Sequence, residues 1–573
     1  MTRAGAPTQT RLAHAAAVAL LAAFAGLLLL SMPYESPTID EPLHYVRGAA
    51  FWWTGDTRLS YAHPPLANAL GALPNRDHPL LDLTKPRRPW ERAEYNTLAA
   101  SLVAADYGAF RHQLFQARTV LIALAVLFGL YLYHWCRGRF GSGPALFALL
   151  LYVIHPTLIA HARLMTTDMP VTIASFVTLG ELVRYRERRR LVSLVTAGLA
   201  LGAAMAVKFS GVYLVPLVGG VLLIDALVAR DRPLSRRLLS LGARAAVAGV
   251  LALLVVDAAY RFQRTNETVA QLIAEPRPSP PWDPLHLRND PMGSSSPLAR
   301  LPSWLPIPLP STYVYGLFTV GQMVQDGRRT YFMGRPSMGS PAYFPVLLVL
   351  KQPLVLLFLL ALAARRLRTI GALSPAAKVL GAAAALYLIM AMTSHLNLGV
   401  RHVLPMMPLL VVLAGLEASS VLRARATHPW RFRVAVALGV ASTVGTLAAF
   451  PHYIGYFNAL AINETIFSRI SIVGEDWGQD VQDTARYLER EHLTPVSYSP
   501  QTPASAYEME SFGVESTPLE CDSPPDHATW VVLHAAVVAR TRCFAWLGLP
   551  DRRPDARINA HMNVYRFDPA SPR

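Results

Sequence analysis

Apolar residues along the chain gather into long blocks separated by shorter polar stretches. Eleven such blocks are visible, at about 14–32, 118–135, 144–161, 169–183, 191–207, 210–228, 241–259, 343–363, 378–393, 402–420 and 432–450. Each is close to the roughly 20 residues that a helix needs to cross the hydrocarbon layer of a bilayer. The pattern predicts an all-α polytopic membrane protein with about 11 transmembrane helices. Two long segments interrupt it, 33–117 and 260–342, and the blocks cease after about 450. In the tail, a helical stretch near 479–491 is followed by short strand-like runs near 495–499, 529–533 and 563–567. A helical membrane domain over 1–470 and a small α/β domain over 471–573 are therefore expected.

Charge refines the picture. Only 16% of the 573 residues are charged, against about a quarter in ordinary soluble chains. The net charge of +16 raises the question of nucleic acid, but its distribution answers it. Basic residues cluster in short connections on alternate sides of the blocks: Arg137 and Arg139; Arg184, Arg186, Arg188, Arg189 and Arg190; Arg230, Arg232, Arg236 and Arg237; Arg365, Arg366 and Arg368; Arg423, Arg425, Arg431 and Arg433. By the positive-inside rule these connections are cytoplasmic. The charge is a topology signal, and no nucleic-acid partner is expected. The N-terminus is then cytoplasmic, while both long segments and the C-terminal tail are extracytoplasmic. Arg3 and Arg11 precede the first block as in a signal peptide, but no small-residue cleavage site follows, so a retained helix is expected. Cys521 and Cys543 fall in the outer tail, where an oxidising compartment permits a disulfide, and Cys136 reads as inert packing at a cytoplasmic helix end.

The outer ends of the blocks carry a more varied chemistry. Thr38-Ile39-Asp40-Glu41-Pro42-Leu43-His44-Tyr45 follows the first block. His155, His161, Arg163 and Thr166-Thr167-Asp168-Met169-Pro170 lie between the third and fourth, Lys208-Phe209-Ser210-Gly211 between the fifth and sixth, and His395 to His402 after the ninth. Ionisable groups gathered at one bilayer face predict a shared polar cavity. Lysine use sharpens this, because the chain has only four lysines. Lys208 belongs to the polar rim. Lys351 lies inside an apolar block between Pro345 and Pro353, so it needs an anionic partner or a wet cavity. A transporter or flippase for a lipid-linked or charged solute is the alternative from another class. Such proteins place polar groups near the midplane and often show repeated halves, and this chain does neither. A non-catalytic scaffold would tolerate replacement of Asp40.

Taken in order, Asp40-Glu41-Pro42, Tyr61-Ala62-His63-Pro64-Pro65-Leu66 and Met165-Thr166-Thr167-Asp168 resemble the bacterial family-39-like glycosyltransferases. That group is related to protein O-mannosyltransferases and to the aminoarabinose transferase that modifies lipid A. Asn397-Leu398-Gly399-Val400-Arg401-His402-Val403-Leu404-Pro405 and Asp476-Trp477-Gly478-Gln479-Asp480 are similar to further segments of the group. One departure is His63-Pro64-Pro65, where the aminoarabinose transferase has Lys-Pro-Pro, so lipid A specificity does not carry over. The resemblance implies a GT-C fold in a bacterial inner (plasma) membrane, with the first outer loop arched over a cavity open to lipid. The implied donor is a polyprenyl-phosphate-linked sugar, and the acceptor is a hydroxyl or phosphate on a protein, lipid or polysaccharide.

Transfer from a sugar phosphate needs a base for the acceptor, positive charge for the leaving phosphate, and a held geometry. The resemblance assigns the base to Asp40, whose pKa a partly dry cavity would raise. Glu41 is expected to orient the site or bind metal. Asp168 is expected to hold acceptor or donor. Each aspartate also reads as a helix N-cap ahead of a proline. Arg401 suits a bidentate phosphate pair, Lys208 a point charge, and Lys351, His402 and His63 supplementary contacts to the phosphate. A divalent metal ion shared among Asp40, Glu41, Asp168 and His63 is a further expectation. Outer-face aromatics such as Trp52, Tyr61 and Tyr343 are read mainly as an interfacial belt. Segment 260–342, with Trp282-Asp283-Pro284 and Tyr331-Phe332-Met333-Gly334, is read as an irregular lid.

Overall fold

The computed structural model describes residues 7–228, 233–274, 292–293, 296–328, 330–365, 374–461, 475–540, 543–549 and 551–570. Trp282-Asp283-Pro284 and the expected domain boundary near 470 lie outside them. Among the described residues, seven helices are long and apolar enough to span a membrane: Thr8–Tyr34, Tyr107–Phe140, Phe209–Val228, Leu234–Ala259, Pro375–Met392, Val400–Arg423 and Pro429–Ala448. Two bent pairs, Ser142–Val153 with Pro156–Ala162 and Tyr343–Leu350 with Leu354–Arg365, raise the number to at most nine. The chain is an integral membrane protein, but the expected count of eleven is not reached among the described residues. The helix Asp168–Arg188 is too polar, carrying Asp168, Glu181 and a basic last turn. The helix Leu191–Val207 has 17 residues, so it extends about 26 Å, short of a core of about 30 Å. Both pack as interior helices, with most of their faces buried.

The two bends explain each other. Each precedes a proline, His155-Pro156 and Gln352-Pro353, which removes a backbone donor and disfavours helical geometry at the preceding residue. The breaks amount to 66° and 115°. Interrupted backbone within a membrane must be satisfied by protein, and here the two breaks face one another. His155 Nε2 lies 2.7 Å from Gln352 Oε1. Asn458 donates through Nδ2 to the carbonyls of Val349 (2.7 Å) and Gln352 (2.8 Å), and Thr446 Oγ1 donates to Ile154 O at 2.7 Å. Small residues allow close helix crossings elsewhere: a Cβ on Gly415 would come within 2.8 Å of Ala148 N.

The described residues of segment 260–342 are less irregular than expected. They contain the helix Ser311–Asp326 and a hairpin of β1 (Thr330–Phe332) and β2 (Arg335–Ser337). Beyond residue 474, β3 (Val496–Ser499), β4 (Ser516–Pro518), β5 (Thr529–His534), β6 (Ala556–Ile558) and β7 (Met562–Phe567) form one sheet of order β4-β3-β5-β7-β6. β3 runs parallel to β4 and β5, and β7 antiparallel to β5 and β6. Helices Val481–Arg490 and Pro503–Ser511 accompany it. Cys521 and Cys543 are joined, with their Cα atoms 4.6 Å apart.

Candidate active site

The loop 35–41 after the first long helix is fixed by one buried ion pair. Glu41 opens the helix Glu41–Trp53, with Pro42 in its first turn. Its carboxylate accepts from Thr38 N (2.9 Å), Thr38 Oγ1 (3.1 Å) and Met165 N (2.8 Å). Arg118, from the helix Tyr107–Phe140, completes the set through Nε at 2.8 Å and Nη2 at 2.6 Å. The remaining guanidinium donors reach Glu35 O at 2.9 Å and Ser36 O at 3.2 Å. Burial alone would raise the Glu41 carboxyl, yet Arg118 holds it below the ordinary range. Five donors occupy this carboxylate, and it does not line the cavity. Glu41 therefore stands as the fastener of loop 35–41 to the connection at 165, and not beside Asp40 in a reacting pair.

Asp40 precedes that helix but makes no capping hydrogen bond. Its carboxylate instead pairs with Arg401. Arg401 also donates through Nε to Leu398 O at 3.2 Å, and its guanidinium lies 4.0 Å above the Trp477 ring. Burial would raise the Asp40 carboxyl, but Arg401, helped by His44, holds it below its ordinary value. The raised pKa expected for a base is thus absent while Arg401 is in place. Asp168 stands in the first turn of the helix Asp168–Arg188, whose N-cap is Thr167 and not the aspartate. Asp168 receives Lys208 Nζ at 2.5 Å. Lys208 sits where the helix Leu191–Val207 ends, in a turn closed by Gly211 N to Lys208 O at 2.8 Å. A Cβ on Gly211 would come within 2.3 Å of Ala204 O, so only glycine fits this turn.

Both ion pairs line one cavity of about 630 Å³. Asp40, Asp168, Lys208, Arg401, His402 and His63 all contribute to its wall, as do His44, Arg47 and Tyr95. Arg47 and Tyr95 were not expected there, whereas His44 belongs to the polar run that follows the first block. Asp40, His44 and Arg47 follow the i, i+4, i+7 spacing of one helix face, which was the signal available for Arg47. His44 Nδ1 lies 2.9 Å from Asn68 Oδ1, and its ring centroid is 4.8 Å from that of His63. Burial, with Arg47 adding, pushes His44 down to about 4; burial also depresses His63, whose Nδ1 has no hydrogen-bond partner among the described residues. Both rings are neutral at physiological pH. Arg47 lies 4.0 Å over the Tyr95 ring. The lining also includes the apolar side chains of Leu317, Val320, Met323, Val324, Met390 and Ala391, together with Arg328.

Several expected site residues lie elsewhere. Lys351 is buried between the two bent helices, pairing with Glu475 and donating to Ile454 O at 2.8 Å. It does not reach the cavity, so its expected phosphate contact is replaced by a tie to the C-terminal segment. Arg163 is spent on Glu35 (2.9 Å) and Pro451 O (2.8 Å). The metal set of Asp40, Glu41, Asp168 and His63 does not converge: each carboxylate already faces its own Arg or Lys. Charges neutralised this way leave no anionic cage for a dication.

The segment Asp476–Asp480 has a positioning role. Ile39 N donates to Trp477 O at 2.8 Å and Ser36 N to Gln479 O at 3.1 Å. Asp476 accepts from Ala536 N at 3.0 Å and lies 3.1 Å from His534 Nδ1. The segment thus places Trp477 beneath Arg401 and joins the sheet domain to the loop 35–41.

No curated protein matches the chain significantly. Among solved structures, ArnT from Cupriavidus metallidurans bound to undecaprenyl phosphate aligns with 15% identity and a TM-score of 0.47, covering 96% of this chain and 97% of that one. The Archaeoglobus fulgidus oligosaccharyltransferase in the apo form aligns with 14% identity and a TM-score of 0.41, covering 84% and 58%. Residues 102–256, the stretch that holds Asp168 and Lys208, match the family described as dolichyl-phosphate-mannose-protein mannosyltransferase, in agreement with the resemblance read from the motifs.

Proposed function

We propose that this protein is a GT-C-type membrane glycosyltransferase that moves a sugar from a polyprenyl-phosphate donor to an acceptor hydroxyl or phosphate at the outer membrane face. The observation that carries the reading is the pair of cation–carboxylate contacts, Asp40–Arg401 and Asp168–Lys208, in the wall of one cavity that is also lined by apolar side chains. The apolar lining suits a prenyl chain. Arg401 and Lys208 suit its phosphate. The match of residues 102–256 to a family that uses a lipid-phosphate mannose donor supports the same substrate class.

The ion pairs give the mechanism its order. In the ligand-free state Arg401 keeps Asp40 ionised and weakly basic. A donor phosphate that takes Arg401 and Lys208 releases both carboxylates. Asp40 then keeps its buried surroundings but loses its cation, so its proton affinity rises as the donor docks. It accepts the acceptor proton while Arg401 and Lys208 stabilise the charge growing on the departing phosphate. Neutral His44 and His63 supply hydrogen bonds to sugar hydroxyls. Asp168, freed of Lys208, orients acceptor or sugar.

The test is transfer by the purified protein with polyprenyl-phosphate sugars and a panel of protein, lipid and polysaccharide acceptors, read by mass spectrometry. Product formation whose donor KM rises about tenfold or more in Lys208→Gln, for one lost charged contact, is the expected outcome. Hydrolysis-free transport of the lipid across vesicles, without any product, would count for the transporter instead.

A further inference from the structure

A second cavity, of about 480 Å³, lies at the end of the last long helix against the sheet domain, apart from the first. His452, Asn559 and His561 form part of its wall. Three side chains converge there from separate stretches: His452, beyond the helix Pro429–Ala448, and Asp480 and Asp483, at the start of the helix Val481–Arg490. One ligand atom from each lies within 4.8 Å of the other two. Asp480 is a buried carboxylate, 2% exposed.

The Asn559 amide nitrogen occupies the middle of this group. It lies 3.1 Å from Asp480 Oδ1, 2.7 Å from Asp483 Oδ2 and 3.4 Å from His452 Nδ1. An amide nitrogen has two hydrogens to offer three acceptors. A weakly positive group thus stands where a cation would satisfy all of them. A half-turn of the same amide presents Oδ1, a fourth ligand, without changing the shape of the side chain. The turn between β6 and β7 holds it there, with Asn559 and Ala560 at φ of 49° and 63°. His561 Nδ1 meets the far oxygen of Asp480 at 2.7 Å and fixes that carboxylate from behind, as is usual for metal-bound carboxylates.

We propose that His452, Asp480, Asp483 and Asn559 form a divalent-cation site that clamps the last long helix to the C-terminal domain. Two carboxylates balance the charge of a dication, and Arg486 approaches Asp483 only to 3.9 Å, unlike the close Lys and Arg pairs of Asp168 and Glu41. One imidazole nitrogen with three oxygens suits Mn²⁺ or Zn²⁺ better than a thiophilic ion. None of the four residues lines the larger cavity, so the ion is structural and the site stands independently of the transfer reaction.

The test uses the full-length protein in detergent, stripped with chelator and then dialysed against Mn²⁺ or Zn²⁺. Bound metal is counted by mass spectrometry, and thermal unfolding is followed in parallel. About one ion per chain is expected, with a Tm that rises with ion concentration. Both effects should disappear in Asp483→Asn and in His452→Gln. These side chains are 21% and 36% exposed, so both variants are expected to fold, and either one alone decides the matter. No retained ion, an unchanged Tm, or equal retention by wild type and both variants would overturn the site.

Discussion

Replacing Glu41 by glutamine separates a fastening role from a reacting one. The variant keeps the shape of the side chain and removes its charge. Arg118 is 0% exposed and has no other carboxylate as a direct partner among the described residues. Breaking a buried ion pair from one side costs roughly 3–5 kcal/mol, because the remaining charge is left uncompensated. The glutamine amide would also turn two hydrogens toward donors from Thr38, Met165 or Arg118, so part of the five-bond set is lost as well. Glu41→Gln is therefore expected to lower the Tm of the detergent-solubilised protein by several degrees, with activity falling in step with the folded fraction. Asp40→Asn is the comparison: its pair with Arg401 is less deeply buried, with side chains 15% and 30% exposed, so the fall in Tm should be smaller. If Glu41→Gln unfolds like wild type and loses turnover alone, the fastening role is wrong and Glu41 belongs to the chemistry.

Three further outcomes follow from the same geometry. His44 is held at about 4, below its ordinary 6.5, by burial and Arg47. The unfolded chain thus binds more protons than the folded one between those values, and stability falls as pH drops from 6.5 toward 4, by roughly 3 kcal/mol from this group. His44→Gln should flatten that part of a stability–pH profile, and an unchanged slope would refute the assignment. Lys351→Met should destabilise the fold by stranding Glu475 while leaving donor KM unaffected, since Lys351 lies off the cavity; a selective rise in donor KM would return it to the phosphate site. Gly211→Ala should disturb the turn that places Lys208 and raise donor KM, whereas wild-type kinetics would show that the turn tolerates a Cβ.

How legible all this was in the sequence depended on the range over which each feature is determined. The membrane blocks are local, and the seven long helices fall where hydropathy places them. The breaks at His155-Pro156 and Gln352-Pro353 were visible as prolines, but their meeting across the fold was not. Three-residue strands such as β4 and β6 are too short for any period to show. Within the site, the motifs gathered Asp40, Asp168, Lys208, Arg401, His402 and His63 into one wall. They did not distinguish the adjacent carboxylates. Which of Asp40 and Glu41 faces the cavity is decided by Arg118 and Arg401, 77 and 361 residues away in sequence. Lys351 showed the same limit. Its need for an anion was legible in its apolar setting, while the identity of Glu475 required the tertiary fold.

The most direct measurement is single-turnover transfer by Asp40→Asn beside wild type, with binding of the polyprenyl-phosphate donor measured separately. The expected result is donor binding at least as tight as wild type, because Arg401 is no longer occupied, and a transfer rate lower by about 10²–10⁴, the usual contribution of a general base. Transfer at the wild-type rate, or a loss confined to donor binding, would contradict the assignment of Asp40 as the base that the donor phosphate releases.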